Sequence, residues 1–123
     1  AAKRALSMLD RYEFNHEIPE WNAEGTVTNE EMVLITQSMK EVNQIMGAYV
    51  GIVRSDLRLK RAWVRLDMIY EETEDLFKRS KASRAICELR NMVNVGYLIT
   101  RQAIERKESR GLHYTIDYPH AKK

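Results

Sequence analysis

The feature that most constrains this chain is the long proline-free stretch between its two prolines, Pro19 and Pro119. Proline interrupts helices, so the residues between these two positions are free to form long ones. Within the stretch, apolar side chains recur at alternating steps of three and four residues, and no comparable segment alternates with a period of two. This spacing predicts three amphipathic helices, over residues 36–54, 56–79 and 83–108.

Short connections between long amphipathic helices favour antiparallel neighbours. The predicted fold class is therefore all-α: an antiparallel, up-down-up three-helix bundle, similar to a spectrin repeat, with an extended C-terminal tail. Ser55 or Asp56 can cap the second helix, and Ser80 or Ser83 can cap the third, because their side chains accept hydrogen bonds from free amides. The side chains predicted to form the core are Met39, Val42, Met46, Tyr49, Val53, Leu59, Leu66, Ile69, Leu76, Ile86, Leu89, Val93 and Ile99.

The two ends of the chain do not fit a simple bundle. Residues 1–12 carry a short apolar stripe and are interpreted as the stub of a helix from a preceding domain. Residues 13–35 contain proline and glycine without a sustained stripe and are predicted to be a linker. The bundle is then assigned to residues 36–110, and an extended tail without an obvious partner strand to residues 111–123.

Charge and hydropathy reduce the number of functional classes to which the chain can belong. The 20 Lys+Arg and 18 Asp+Glu leave a net charge of +2, far from the strongly basic field typical of nucleic-acid binding. The longest apolar run, residues 32–35, is much shorter than a membrane span. A single cysteine excludes an internal disulfide framework and is typical of a reducing compartment. We expect no nucleic-acid partner, no membrane span and a cytoplasmic location.

The sequence contains no recognisable catalytic, cofactor-binding or metal site. Its five glycines form neither the G-x-G-x-x-G turn of dinucleotide-binding domains nor a phosphate-binding loop. The three histidines and Cys87 lack the clustering of a zinc site. Gly47 and Gly51 form a G-x-x-x-G pair, which predicts either a close helix–helix contact or space for an aromatic side chain such as Trp63 or Tyr97.

One segment, at the predicted end of the third helix, is unusually polar. Residues 106–113 combine four charges, a hydroxyl, a glycine that can reverse the chain and an imidazole. Cations favour the negative end of a helix dipole, and this explains Arg106, Lys107 and Arg110. It does not explain the presence of Glu108, Ser109 and His113 together. From spacing alone, an interface and a solvated helix end are equally good interpretations.

Three motifs resemble the C-terminal helical domain of the L-aspartate oxidases, which belong to the succinate dehydrogenase and fumarate reductase flavoprotein family. They are Y-V-G-I-V-R-S at residues 49–55, E-L-R-N at residues 88–91, and R-K-E-S-R-G-L-H-Y-T-I-D-Y-P at residues 106–119. The E-S-R-G-x-H signature is shared by the wider family. The first motif, and the H-Y-T-I-D-Y-P that follows Gly111, favour the oxidases.

The resemblance implies an FAD-dependent parent enzyme that oxidises L-aspartate to iminoaspartate in de novo NAD biosynthesis. The family's flavin-binding and catalytic residues precede this domain, so none is assigned here. Two alternatives stay open: the C-terminal domain of a succinate dehydrogenase or fumarate reductase flavoprotein, and a free-standing helical interaction module.

If the resemblance holds, residues 108–119 are predicted to dock on the flavin-binding domain of the same polypeptide. Unpaired polar groups are costly to bury, so in the isolated chain this segment is expected to be exposed, mobile or held by a neighbouring molecule. The residues predicted to dock are Arg106, Glu108, Ser109, Arg110, Gly111, His113, Asp117 and Tyr118.

Overall fold

The computed structural model describes residues 2–9, 13, 16–20 and 32–121. Its elements follow the chain in the order α1 (Ala2–Leu6), α2 (Met32–Tyr49), β1 (Val53–Arg54), α3 (Asp56–Arg79), α4 (Arg84–Glu105) and β2 (Tyr114–Thr115). The three long helices pack into one bundle, in which α3 and α4 share the largest interface. The predicted all-α, three-helix bundle is confirmed.

Serine side chains begin two of the helices, as the sequence indicates. The Ser55 hydroxyl accepts a hydrogen bond from the Arg58 amide at 3.3 Å, and the Ser83 hydroxyl accepts one from the Ile86 amide at 3.4 Å. These bonds satisfy amides in the first helical turns that have no partner within the helix. At the other end of α3, Arg79 lies in the last turn, where a cation offsets the helix dipole.

An aromatic cluster and a half-buried ion pair join α3 to α4. The Tyr97 ring lies 4.2 Å from the Trp63 ring and 5.5 Å from the Tyr70 ring, measured between centroids. Arg90 donates two hydrogen bonds to the Glu74 carboxylate. The Arg90 guanidinium lowers the pKa of Glu74 below its ordinary value of 4.5, since it stabilises the carboxylate.

The core contains side chains from all three long helices and from the turn after α2. Its members are Ile35, Val42, Ile45, Val50, Leu59, Ala62, Leu66, Ile69, Ile86, Leu89, Val93 and Ala103. The prediction was wrong for Val53 and Ile99, which are exposed. Val53 lies in a strand beyond the end of α2, and Ile99 lies on α4 beside the buried stripe and not within it.

Helix α2 is displaced along the chain from its predicted position. It begins at Met32 and ends at Tyr49, whereas the sequence predicted a linker through residue 35 and a helix over residues 36–54. Ile35 explains the earlier start, because it is buried in the core. Among the other residues of the predicted linker, 14, 15 and 21–31 lie outside the described part of the chain.

The two glycines of the G-x-x-x-G pair make no helix–helix contact. A methyl group added at Gly47 would meet nothing within 4 Å, whereas one added at Gly51 would lie 2.7 Å from the Gly47 carbonyl oxygen. Gly51 therefore permits the chain to leave α2 tightly against its own last turns. The close approach of α2 to α4 occurs instead at Gly96, where an added methyl group would lie 3.3 Å from the Met46 sulfur.

The N-terminal segment, predicted as a helix stub over residues 1–12, contains one short described helix. This is α1, Ala2–Leu6, and residues 1 and 10–12 lie outside the described part of the chain. The side chains of Leu6 and Leu9 are exposed. None of the described helices is both long enough and apolar enough to cross a membrane.

Candidate docking site at the C-terminal tail

The C-terminal tail folds back onto the bundle as a strand. Tyr114–Thr115 (β2) pairs in parallel with Val53–Arg54 (β1), with Val53 opposite Tyr114 and Arg54 opposite Thr115. The Ile116 amide continues the ladder by donating to the Arg54 carbonyl at 3.0 Å. The expectation that this tail has no partner strand in the chain was wrong. Its partner is a two-residue strand about sixty positions earlier, too short to produce a sequence pattern.

Gly111 makes the reversal that brings the tail back. Its φ of 60° lies in the left-handed region, which glycine adopts without steric cost. On either side of the turn, the Arg110 amide donates to the His113 carbonyl at 2.9 Å, and the His113 amide donates to the Arg110 carbonyl at 3.2 Å. The predicted role of Gly111 as the chain-reversing residue agrees with this geometry.

Ser109 holds the tail in place through hydrogen bonds to three of its residues. Its hydroxyl donates to the Tyr118 carbonyl at 2.7 Å and accepts from the Thr115 amide at 3.0 Å. Its own amide donates to the His120 carbonyl at 3.2 Å. Thr115 is only 2% exposed, so water cannot replace the bond to its amide without opening the tail. Ser109 thus fixes three positions of the segment, two through its side chain and one through its backbone amide.

Asp56, the first residue of α3, forms hydrogen bonds with three residues of the tail and of the segment that leads into it. Lys107 donates to both of its carboxylate oxygens at 3.0 Å, and the Tyr118 hydroxyl donates to one of them at 3.2 Å. In return, the Asp56 amide donates to the Asp117 carboxylate at 2.7 Å, which adds a second cap to α3. The bond from Lys107 lowers the pKa of Asp56, since it stabilises the charged carboxylate.

His113 is packed against a cation. It is 8% exposed, and its Nδ1 lies 2.8 Å from Nη1 of Arg54. Arg54 is held in place because its Nε donates to the carbonyls of Val50 and Gly51 at 3.1 Å. A guanidinium is always a donor, so Nδ1 accepts and the neutral ring carries its proton on Nε2. Burial, and then the charge of Arg54, lowers the pKa of His113.

Glu108 holds the two arginines that flank it. Its carboxylate lies 3.1 Å from Nε of Arg106 and 3.4 Å from Nε of Arg110. The carboxylate is mostly buried, whereas both guanidinium groups are substantially exposed. Such pairs contribute little to stability at a surface, but here they fix the direction in which the chain leaves α4.

The structure brings all eight predicted docking residues into one region, and most of their polar groups form hydrogen bonds or ion pairs within the chain. Ser109, His113, Asp117 and Tyr118 bond within the chain, and of these four His113 is buried whereas Asp117 is exposed. That these residues dock on another domain stays a prediction. Sequence reasoning missed their partners Arg54 and Asp56 in the bundle. A signal was present, because Arg54 belongs to the Y-V-G-I-V-R-S motif, which was considered apart from the tail.

Two kinds of site were sought: a flavin-binding turn in the sequence, and a cluster of metal ligands among the residues that the structure describes. Binding of FAD needs a backbone turn that glycines allow to approach the phosphates closely, and the five glycines are not spaced for one. Within the described residues, no three histidine, cysteine, aspartate or glutamate side chains lie together as metal ligands would. The region around Ser109 and Asp56 joins the tail to the bundle through hydrogen bonds and an ion pair.

Comparison with known proteins gives the class of this domain. The sequence matches the family described as "Fumarate reductase flavoprotein C-term" over residues 39–123, and the chain belongs to that family. Individual relatives are more specific. The chain is 40% identical over 119 residues to the L-aspartate oxidase of Pseudomonas aeruginosa, and the match covers 97% of the chain and 22% of that protein.

Two further relatives carry the same name. The chain is 40% identical to the L-aspartate oxidase of Yersinia pestis, with the same coverage of 97% and 22%. It is 45% identical over 102 residues to that of Acinetobacter baylyi, covering 83% of the chain and 19% of that protein. The chain thus spans about one fifth of the length of the curated relatives it matches, and the resemblance drawn from the three motifs is confirmed.

Proposed function

We propose that this chain is the C-terminal domain of an L-aspartate oxidase, an FAD-dependent enzyme of de novo NAD biosynthesis. That enzyme removes a hydride from the Cα of L-aspartate to give iminoaspartate and passes it to the flavin. The observation that carries the proposal is the similarity to proteins named L-aspartate oxidase along nearly the whole chain, at 40% identity. We place the enzyme in the cytoplasm.

In this proposal the domain performs no chemistry. FAD binds to the part of the polypeptide that precedes it, because the five glycines of this chain do not form the turn that a dinucleotide requires. L-aspartate binds beside the flavin in that same part. The isolated chain should therefore neither take up FAD in a titration nor oxidise L-aspartate. Stoichiometric uptake of FAD by the purified chain would contradict this assignment.

The role left to the domain is to dock on the flavin-binding part through its tail. Supporting this role, the eight residues from Arg106 to Tyr118 that the sequence singled out converge on one end of the bundle, where they hold the tail in a single conformation. A preformed surface loses less conformational entropy on docking than a mobile one. The internal bonds therefore suit a docking role better than a set of unpaired polar groups would.

A domain exchange tests the proposal. The C-terminal portion of the Pseudomonas aeruginosa L-aspartate oxidase that matches this chain is replaced by the chain itself, and oxidation of L-aspartate is followed. We expect a flavin-loaded chimera with activity close to that of the parent enzyme. As a matched control, the same portion is replaced by the corresponding part of a fumarate reductase flavoprotein, which should support less activity. An inactive, flavin-free first chimera, or equal activity in both, would refute the proposal.

A further inference from the structure

The outer side of the tail junction is apolar. The exposed large apolar side chains of this region come from two segments that the β1–β2 ladder joins. They are Ile52, Val53, Leu57, Leu112, Tyr114 and Ile116. We call this group the ladder face. Single exposed apolar residues are common on proteins, but a cluster contributed by two distant segments is typical of an interaction surface.

The strand register makes two of these side chains, Val53 and Tyr114, direct neighbours. Val53 lies directly opposite Tyr114, and both are exposed, while Thr115 in the next pair is buried. Side chains alternate across a strand, so the ladder directs one pair outward and the next pair into the domain. Leu112 occupies the tip of the turn before β2 and is 97% exposed, the highest value among the large apolar side chains described.

Hydrogen bonds hold the two segments of the ladder face together. The Asp56 amide donates to the Asp117 carboxylate at 2.7 Å, and these two residues are next in sequence to Leu57 and Ile116. The Ile116 amide also donates to the backbone of β1. The polar groups of the tail are thus used inside the junction, and large apolar side chains remain on its outside. An apolar surface that is already rigid is suited to bury against another apolar surface.

We infer that the ladder face is the surface by which this domain packs against the polypeptide that precedes it. This inference rests on the proposed function and names the surface and its occupant. The matched family is described as a C-terminal one, and the chain spans about one fifth of the length of its relatives. The part of such a protein that precedes its C-terminal domain supplies the occupant, an apolar surface of the same polypeptide.

Trypsin reports on this contact at one peptide bond. Arg110 is substantially exposed and lies in the turn just before Gly111 and Leu112. Because Leu112 belongs to the ladder face, docking of that face should block cleavage after Arg110. Wild-type domain is compared in two settings: the isolated chain, and the chimera with the Pseudomonas aeruginosa enzyme. We expect cleavage after Arg110 to be at least about tenfold slower in the chimera, because cleavage then requires the docked state to open.

Two double variants locate the contact. L112S/I116S removes apolar surface from the ladder face, and V95S/L98S removes a similar amount from the outer side of α4, where Leu98 is 53% exposed against 55% for Ile116. Both pairs lie on the surface, so both isolated variants should keep the helical content of the wild-type chain. In the chimera, L112S/I116S should raise the cleavage rate at least about tenfold, and V95S/L98S should leave it within about threefold.

The outcomes separate this inference from the proposed function. Equal cleavage rates in the isolated chain and the chimera, or equal effects of the two variants, would overturn the ladder face as the contact. Oxidation of L-aspartate by the wild-type chimera is a separate readout, and its loss would instead refute the proposed function. An active chimera whose cleavage is unaffected by L112S/I116S would leave the function intact and place the contact elsewhere.

Discussion

Replacing Ser109 by alanine should open the C-terminal tail while leaving the bundle folded. The hydroxyl of Ser109 is the partner of the buried Thr115 amide and donates to the Tyr118 carbonyl. Alanine fits the same space and the same backbone but offers neither bond. The three helices do not depend on this hydroxyl, because their hydrogen bonds and apolar contacts lie elsewhere.

The magnitude follows from what is left unpaired. An amide as deeply buried as that of Thr115 costs about 1–3 kcal/mol when it loses its partner. The carbonyl of Tyr118 lies closer to solvent and should add less. We therefore expect Ser109→Ala to lower the free energy of tail opening by about 2 kcal/mol, which corresponds to about a thirtyfold increase in the open population.

Amide hydrogen exchange measures this opening directly. Exchange of the Thr115 and Ile116 amides, followed by NMR, should be about thirtyfold faster in Ser109→Ala, while amides within α3 keep their wild-type protection. Arg110→Ala is the matched control. The Arg110 side chain is 58% exposed and pairs with Glu108 at the surface, where ion pairs contribute little, so its loss should change exchange by less than about twofold. Equal effects of the two variants, or none from Ser109→Ala, would refute the reasoning.

Three further predictions concern the bundle and its pH dependence. Leu66→Ala removes a side chain that is fully buried and should cost about 2–5 kcal/mol in urea unfolding; a loss below about 1 kcal/mol would mean that the core is wrongly assigned. Gly47→Ala should raise the unfolding midpoint, because open space surrounds it in a helix, whereas Gly51→Ala should lower it by forcing a methyl group against a carbonyl; equal shifts would contradict this geometry. The pKa of His113 is lowered in the folded chain, so the unfolded chain binds more protons, and stability should fall as the pH drops below 6.5. His113→Asn keeps an acceptor for Arg54 and should remove that part of the pH dependence in thermal melts; an unchanged pH profile would exclude His113 as its source.

The sequence was sufficient for features that depend on local spacing. The stripes of α3 and α4 predicted both helices and most of their buried side chains, and the serines before them predicted the caps at Ser55 and Ser83. For α2, the sequence predicted Met39 and Met46 in the core. The structure buries Ile35 and Ile45 there instead, and the two methionines are partly buried at its edge. Methionine fills space at the edge of a core as readily as at its centre.

The tail could not be predicted in the same way, because its structure depends on distant pairs. Arg54 and His113 are separated by 59 positions, and Asp56 and Asp117 by 61. No periodicity links such residues, and a single polar segment gives no indication of whether its partners lie in the same domain or in another. The family motifs contained both halves of the junction, but only the fold shows that they bond to each other.

The most direct test of the central claim is the sequence of the gene upstream of the codon for Ala1. If this chain is the C-terminal domain of a flavoenzyme, the open reading frame should continue upstream by about three and a half times the length of the chain, since the chain covers 22% of its relative. It should also contain a G-x-G-x-x-G motif between a strand and a helix, because FAD binding needs that turn. A start codon next to residue 1 with no such frame before it would contradict the account and leave a free-standing helical module.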